Sequence, residues 1–393
     1  MTSGKMEFKR LGDYIREVNV RNRDLTVTNP MGINIEKYFM PSVANVIGTD
    51  LSAYKMVFKN QFACNLMHVG RDEKIPIAMH TGENPIIVSP AYFVFEIIPA
   101  ETHGRASLQT NELLTEYLMM WFRRAEFDRN AWFYTDADVR GGMDKKALMD
   151  MRLPVPDIDR QREIVSEYET LTNRIRLNEQ MIAKLEETAQ ALYRKMFVDG
   201  IDKENLPEGW RMGRLGDFCK KMTSGGTPNR TNINYWNRKD FRWLKSGEVH
   251  NNIVFDTEEY ISQEGLNNSS AKIIPQGAVV MAMYGATAAQ VAYLVCDTTT
   301  NQACCNMICY DKEDAAYLFF HLLANQEYIK KLANGGAQEN LSQELIAQQL
   351  IFLLDDNEKK SMFVPILDNM VVLYKENEKL TELQSLLLAR MGR

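Results

Sequence analysis

The sequence predicts an α+β protein built as a tandem pseudo-repeat: two globular halves, each followed by a long helix, with the two helices pairing as an antiparallel coiled coil. Three observations lead there. Arg10-Leu11-Gly12-Asp13-Tyr14 returns 204 residues later as Arg214-Leu215-Gly216-Asp217-Phe218. A heptad segment closes each half, and the two segments align at an offset of 198. The length, 393 residues, suits two domains at roughly 100 to 200 residues each.

The elements follow in order. Residues 1–152 form the first globular half, in which 85–99 (PIIVSPAYFVFEIIP) read as strand and 113–125 (LLTEYLMMWFRRA) carry helical periodicity. Residues 153–199 form the first helix, entered after Pro156, because proline disfavours helix in the residue before it, and ended at Asp199-Gly200. Within it Ile164, Tyr168, Leu171, Ile175, Asn178, Ile182, Leu185, Ala189, Leu192 and Met196 keep unbroken 4-3 spacing, a coiled-coil seam. From 160 to 198 such a helix would be about 57 Å long, too long to pack inside one small domain, so it reads as a spacer. Residues 200–350 form the second globular half, with buried strands over 278–284 and 290–295 and a helix over 315–332. Residues 351–393 hold the second helix, whose seam is Met362, Ile366, Asn369, Leu373, Glu376, Leu380, Leu383, Leu387 and Arg390, with Pro365 marking a kink or its start.

Heptads alone read first as a zipper between two copies. The repeat changes that ranking, since two related helices in one chain can pair with each other. The expected contact set is Leu171, Ile175, Asn178, Ile182 and Leu185 against Leu373, Glu376, Leu380 and Leu383. Asn178 and Glu376 fall at matching seam positions, where a buried polar residue fixes register at some cost in stability.

Composition excludes several classes. Hydrophobic residues are 45% and charged residues 25% of the chain, an ordinary globular mix. No run approaches the ~18 apolar residues of a membrane span, and MTSGKMEFKR has no apolar signal-peptide stretch; a cytoplasmic location with no membrane partner is expected. The six cysteines, Cys64, Cys219, Cys296, Cys304, Cys305 and Cys309, lack paired C-x-x-C spacing and read as reduced, buried thiols rather than disulfides or a metal site. Phosphate-loop, dinucleotide, hydrolase-elbow and zincin motifs are missing, and the five histidines are scattered, so no catalytic residue is assigned. A net charge of −6 argues against a wholly basic nucleic-acid coat, so any polyanion site must be local.

Such a local stretch is 220–245, KKMTSGGTPNRTNINYWNRKDFRWLK. Lys220, Lys221, Arg230, Arg238, Lys239, Arg242 and Lys245 face one acid, Asp240, giving a local charge of +6. Tyr235, Trp236, Phe241 and Trp243 are interleaved, and Thr223, Ser224, Thr227 and Asn229 can donate to phosphates or base edges. Basic, aromatic and glycine-rich together, the stretch reads as a nucleic-acid-binding loop; a solvated loop anchored by Trp236 and Trp243 is the alternative. The first half offers a thinner set, Arg21 and Arg23 beside Arg16, Asn19 and Asn22, then Asn65, His68 and Arg71 around Gly70.

In order along the chain, these stretches make the sequence resemble the specificity (S) subunits of type I restriction-modification systems. The stretches are Leu206-Pro-Glu-Gly-Trp210 into Arg214-Leu-Gly-Asp217, TSGGTPNRTNINYWN, Trp243-Leu-Lys-Ser-Gly247, Ser270-Ala-Lys-Ile-Ile-Pro-Gln-Gly277, Met283-Tyr-Gly-Ala-Thr287, Thr300-Asn-Gln302 and Gly335-Gly-Ala-Gln-Glu-Asn-Leu341. In the first half 65–71 and Val88-Ser-Pro-Ala-Tyr92 look similar, as does Leu153-Pro-Val-Pro156 into Asp159-Arg-Gln-Arg-Glu163. The resemblance implies two target-recognition domains, each reading one half of a bipartite, asymmetric double-stranded DNA site. The helices would set the spacing and dock two modification (methyltransferase) subunits, which restriction subunits join. It also implies a non-catalytic chain without its own cofactor, S-adenosylmethionine, ATP and Mg being held by the partners. Two other classes stay open from the residues themselves: an enzyme using the cysteine cluster, and a coiled-coil adaptor with two ligand- or protein-binding domains.

Overall fold

The computed structural model describes residues 8–42, 48–67, 69, 73–99, 112–135, 141–332, 340–355 and 357–391. It divides into two compact units, Met1–Arg174 with Leu380–Arg393, and Ile175–Lys379.

In unit one, β1 (Phe8–Arg10), β2 (Ile15–Glu17), β3 (Pro30–Ile33), β4 (Phe39–Pro41), β5 (Lys55–Val57), β6 (Phe62–Cys64), β7 (Ile77–Met79), β8 (Ile86–Val88) and β9 (Phe93–Ile97) precede α1 (Thr115–Phe122), α2 (Ala125–Phe133), α3 (Lys145–Asp150) and β10 (Arg152–Pro154). Two four-stranded sheets result, ordered β2-β9-β6-β7 and β4-β3-β8-β5. The strand expected over 85–99 is therefore two: a turn in which Tyr92 N–H donates to Ser89 C=O sends β8 and β9 to different sheets. Phe62, Phe95, Tyr117, Phe122 and Phe127 pack with Leu11 and Leu153 in one core.

Unit two begins in the long helix α4 (Ile158–Phe197), whose first part lies in unit one, and continues through β11 (Trp210–Arg214), α5 (Leu215–Phe218), β12 (Lys221–Ser224), β13 (Phe241–Leu244), β14 (Asn252–Val254), β15 (Glu259–Ile261) and α6 (Gln263–Asn267). β16 (Val279–Ala282), β17 (Val291–Leu294), β18 (Thr299–Thr300) and β19 (Cys304–Ile308) follow, then α7 (Lys312–Ala324), α8 (Gln326–Leu332), α9 (Gln343–Ala347), β20 (Leu350–Leu354), α10 (Glu358–Ser361) and α11 (Val364–Arg390). A five-stranded sheet, β12-β19-β16-β17-β14, packs against α7, and a three-stranded sheet, β15-β13-β18, lies beside it. The helix expected over 315–332 is broken into α7 and α8 at Asn325, whose side chain donates to His321 C=O.

Each unit closes in the same way. β1 pairs antiparallel with β10, and β11 with β20. Leu11 N–H donates to Met151 C=O, and Leu215 N–H to Gln349 C=O; both leucines are fully buried. The repeated glycine has a physical reason here, because a Cβ on Gly12 would sit 3.0 Å from Met149 C=O and one on Gly216 3.4 Å from Ala347 C=O. The short helices α3 and α9 lie close over this turn, tightly at Gly12 and at ordinary contact distance at Gly216. Expected boundaries at 153 and 351 accordingly fall inside β10 and β20, strands that belong to the globular parts.

The helices α4 and α11 pair antiparallel within each unit. In unit two Asn178 Nδ2 donates to Glu376 Oε2 at 3.0 Å and to Asn377 Oδ1 at 2.9 Å. Ile182, with Leu185 packed against it, joins the core that holds Met370 and Leu373, and Phe197 stacks on Phe363. In unit one Gln384 donates to Thr172, and Leu171 faces Leu383 and Leu387 across a cleft of about 440 Å³. Ile175 and Leu380 are half-buried. Leu383 departs from the expected seam: it is 49% exposed, since its side chain meets a cleft rather than a packed partner. Pro365 is the second residue of α11, so it starts the helix instead of kinking it, its missing N–H being one that a first turn leaves unbonded anyway.

A buried polar contact ties α4 to α7. Tyr193 hydroxyl lies 2.7 Å from His321 Nδ1, and burial pushes the imidazole down from the ordinary 6.5 to about 4. The unfolded chain takes up a proton on His321 below about pH 6.5 that the folded chain refuses until about pH 4. Stability should therefore fall as pH drops through that window, by about 3 kcal/mol for this group. Urea unfolding between pH 7 and pH 4 should show a shallower fall in His321→Gln than in the unsubstituted chain; an identical slope would remove His321 from the account.

Candidate nucleic-acid interface

The stretch 220–245 is not one loop. It is the edge strand β12, a connection, a 3-10 turn at Ile233–Tyr235 and the strand β13. β12 pairs with β19 alone among the described strands, and Lys221 at its start and Lys220 just before it are exposed. Thr223 is buried, donating to Ser224 C=O and accepting from Lys272 Nζ at 2.8 Å. Ser224 Oγ donates to Gln343 Oε1 at 2.8 Å, and Thr227 Oγ1 donates to Gln302 Oε1. These hydroxyls are spent inside the unit, so the outward polar face begins at Asn229.

Gly225-Gly226 is a crossing, not a cradle. The backbone threads between Thr300-Asn301 on one side and Ser270-Ala271 on the other, leaving no room for a Cβ. Gly226 N–H donates to Thr300 C=O at 2.8 Å, and its carbonyl accepts from Trp243 Nε1 at 2.9 Å. Beyond Pro228 the chain is held by its own short bonds. Asn229 Oδ1 accepts from Thr231 N–H at 3.0 Å and from Thr231 Oγ1 at 2.9 Å, Asn229 C=O accepts from Trp236 Nε1 at 3.2 Å, and Asn232 Oδ1 accepts from Asn234 N–H at 3.1 Å. Ile233 stands 75% exposed at the tip.

Folding lowers the local +6 to about +3, because Asp256, Glu258 and Glu259 arrive from later in the chain beside Arg230, Arg242 and Lys245, while Arg238 pairs with Asp240 of the same stretch. Arg230 binds Glu259, Arg242 Nε meets Asp256 Oδ1 at 3.0 Å, Arg238 meets Asp240 at 3.2 Å, and Lys245 Nζ meets Glu258 at 2.7 Å and Glu259 at 3.2 Å. The hydrogen bond from Arg230 holds Glu259 below the usual carboxylate range, and that of Glu258 holds Lys245 above the usual amine range. Lys239 lies over the Tyr260 ring, 4.8 Å from its centroid. Within the stretch Lys220, Lys221 and Lys239 face no carboxylate among the described residues, and neither does Lys272, which reaches into the unit from beside β12. Sequence reading quoted Lys272 and Gln302 in family-like stretches without giving them a site role and did not single out Gln343; the acids were visible as Asp256-Thr-Glu-Glu259, but nothing local says that β15 pairs with β13.

In unit one Arg21 donates to Ala53 C=O, Arg23 is exposed, and Asn65 Oδ1 accepts from Met67 N–H at 3.0 Å, closing a turn. His68 and Arg71 lie outside the described residues. Cys304 and Cys305 are fully buried in β19 and burial pushes both thiols up, Cys304 to about 12; Cys296 and Cys309 are half-buried, and no cluster that could hold a metal exists among the described residues. No helix among the described residues is long and apolar enough to cross a membrane.

Residues 207–385 match the family described as "Type I restriction modification DNA specificity domain". Among curated relatives, the "Type I restriction enzyme HindI specificity subunit" of Haemophilus influenzae is 28% identical over 314 residues, 75% of this chain and 64% of that protein. The "Type I restriction enzyme EcoR124I/EcoR124II specificity subunit" of Escherichia coli is 29% identical over 79 residues, 20% of this chain and 19% of that protein. The chain thus spans less than two thirds of the length of either relative. In fold it is similar to the crystal structure of a type I restriction-modification S subunit from M. genitalium, with a TM-score of 0.56 over 100% of this chain and 97% of the other at 12% identity.

Proposed function

We propose that this chain, a relative of the type I restriction-modification specificity subunits, is the non-catalytic subunit that gives such a complex its DNA sequence. The observation that carries the reading is the family match over 207–385, which spans the residues from just before β11 through most of α11 and includes the lysine-lined edge of β12. Each globular half, as a target-recognition domain of a tandem pair, reads one part of a bipartite, asymmetric double-stranded site. The paired helices set the spacing between the parts and dock two modification subunits, with restriction subunits completing the assembly in the cytoplasm. S-adenosylmethionine, ATP and Mg belong to those partners, and adenine methylation is theirs.

The charge distribution supports a division of labour. With a net charge of −6 and three lysines left uncompensated near β12, the chain alone has few phosphate contacts, and phosphate contacts dominate affinity. Purified alone it should bind duplex DNA weakly and without sequence preference, and specific binding should appear on adding the modification subunits. Fluorescence anisotropy with and without those subunits checks this; tight specific binding by the chain alone would overturn the dependence. Lys220→Ala or Lys221→Ala should weaken the complex on every sequence and reduce its salt slope by about one per lost contact. A slope unchanged in both variants would take the β12 edge out of the interface.

A further inference from the structure

Among the cations of unit two, Arg230 is braced differently from the rest. Its guanidinium sits 3.8 Å from the centroid of the Trp236 ring and 4.6 Å from that of Trp243. The two rings meet edge to face at 4.9 Å, and Trp243 is buried and tied by Nε1 to Gly226 C=O. Nη1 binds Glu259, while Nε and Nη2 have no hydrogen-bond partner among the described residues, and the side chain is 48% exposed. The guanidinium is therefore held in plane by the rings and along one edge by Glu259, with its other edge unbonded on a half-exposed side chain, in a connection closed by the side-chain bonds of Asn229 and Asn232.

A fixed arginine with an open edge can meet a phosphate or a base. The surroundings decide between them. Glu259 binds the guanidinium and is shared with Lys245, and a carboxylate at that edge weakens the pull on a phosphate while leaving a neutral base edge unopposed. Guanine presents two acceptors, O6 and N7, in the major groove at the spacing of an arginine fork. Bracing also removes rotamer freedom that binding would otherwise cost, so the fork is ready before DNA arrives. We infer that Arg230 is a specificity-determining residue that reads a guanine in the half-site bound by unit two. The inference rests on the DNA-reading function proposed above and names one base for it.

The test uses the full chain assembled with its modification subunits, carrying Arg230→Lys or Glu259→Gln, and measures binding to duplexes changed one position at a time together with adenine methylation of the same duplexes. Arg230→Lys keeps the charge and loses the fork, so discrimination for one guanine should drop roughly tenfold or more, with every other position unchanged. Glu259→Gln loosens the brace and should lower discrimination at that same guanine without tightening binding elsewhere. Arg230→Lys with guanine discrimination intact, or Glu259→Gln that tightens binding to all sequences, would assign Arg230 to a phosphate and overturn the inference. Should Arg230→Lys fail to fold, Glu259→Gln, which leaves the stacking in place, decides alone. An unsubstituted complex that discriminates no sequence would overturn the function beneath the inference, a result distinct from either.

Discussion

Gly226→Ala should cost unit two about 3 kcal/mol and lower its melting temperature by roughly 10 °C for a unit of this size. A Cβ at that position would lie 2.5 Å from Ala271 N and 2.5 Å from the Ser270 carbonyl carbon. Both are backbone atoms, so no side chain can swing aside to make room. The added methyl must push the connection off the hydrogen bond to Thr300 C=O and loosen the carbonyl that holds Trp243. Gly247→Ala is the control, since nothing lies within 4 Å of its Cβ direction, and it should leave the melting temperature within a degree or two. Calorimetry on the three chains checks this, and equal melting temperatures would show that the Gly225-Gly226 crossing is not close-packed.

Ile182→Asp should cost on the order of 4 kcal/mol, the sum of a lost buried isoleucine and an unpaired carboxylate placed in an apolar core. Ile182 is 7% exposed and shares its core with Met370 and Leu373 of α11. Ile182→Leu, which keeps volume, should cost under about 1.5 kcal/mol. Because this contact lies within one chain, the unfolding midpoint of the unsubstituted protein should not move with protein concentration. A midpoint that rises with concentration, or crosslinks between α4 and α11 found only between copies, would replace the intramolecular pair with a zipper between chains.

The repeat was legible because its two signals report geometry that the chain must preserve. Arg10-Leu11-Gly12-Asp13 and its second copy build the same turn under a short helix, and the small residue suits the close approach of the Met149 and Ala347 carbonyls. The 4-3 spacing located Asn178 against Glu376 correctly, since a seam position fixes both neighbours at once. Charge was read poorly. A window of sequence counts only local acids, whereas β15 and the turn before it bring Asp256, Glu258 and Glu259 from outside the window to Arg230, Arg242 and Lys245. Hydroxyls were over-read for the same reason: Thr223, Ser224 and Thr227 meet partners 49, 119 and 75 residues away. Of the six cysteines expected to be buried, Cys64, Cys219, Cys304 and Cys305 are, while Cys296 and Cys309 are half-buried, and Leu383 was misplaced because heptad spacing cannot register a cleft.

If, as proposed, this chain chooses the DNA sequence on which modification subunits act, its removal must change where the genome is methylated. Mapping N6-methyladenine across the genome of cells with and without the chain tests it most directly. The account predicts one two-part motif with a fixed gap, methylated throughout when the chain is present and bare when it is removed. A methylation map unchanged by its removal would contradict the claim.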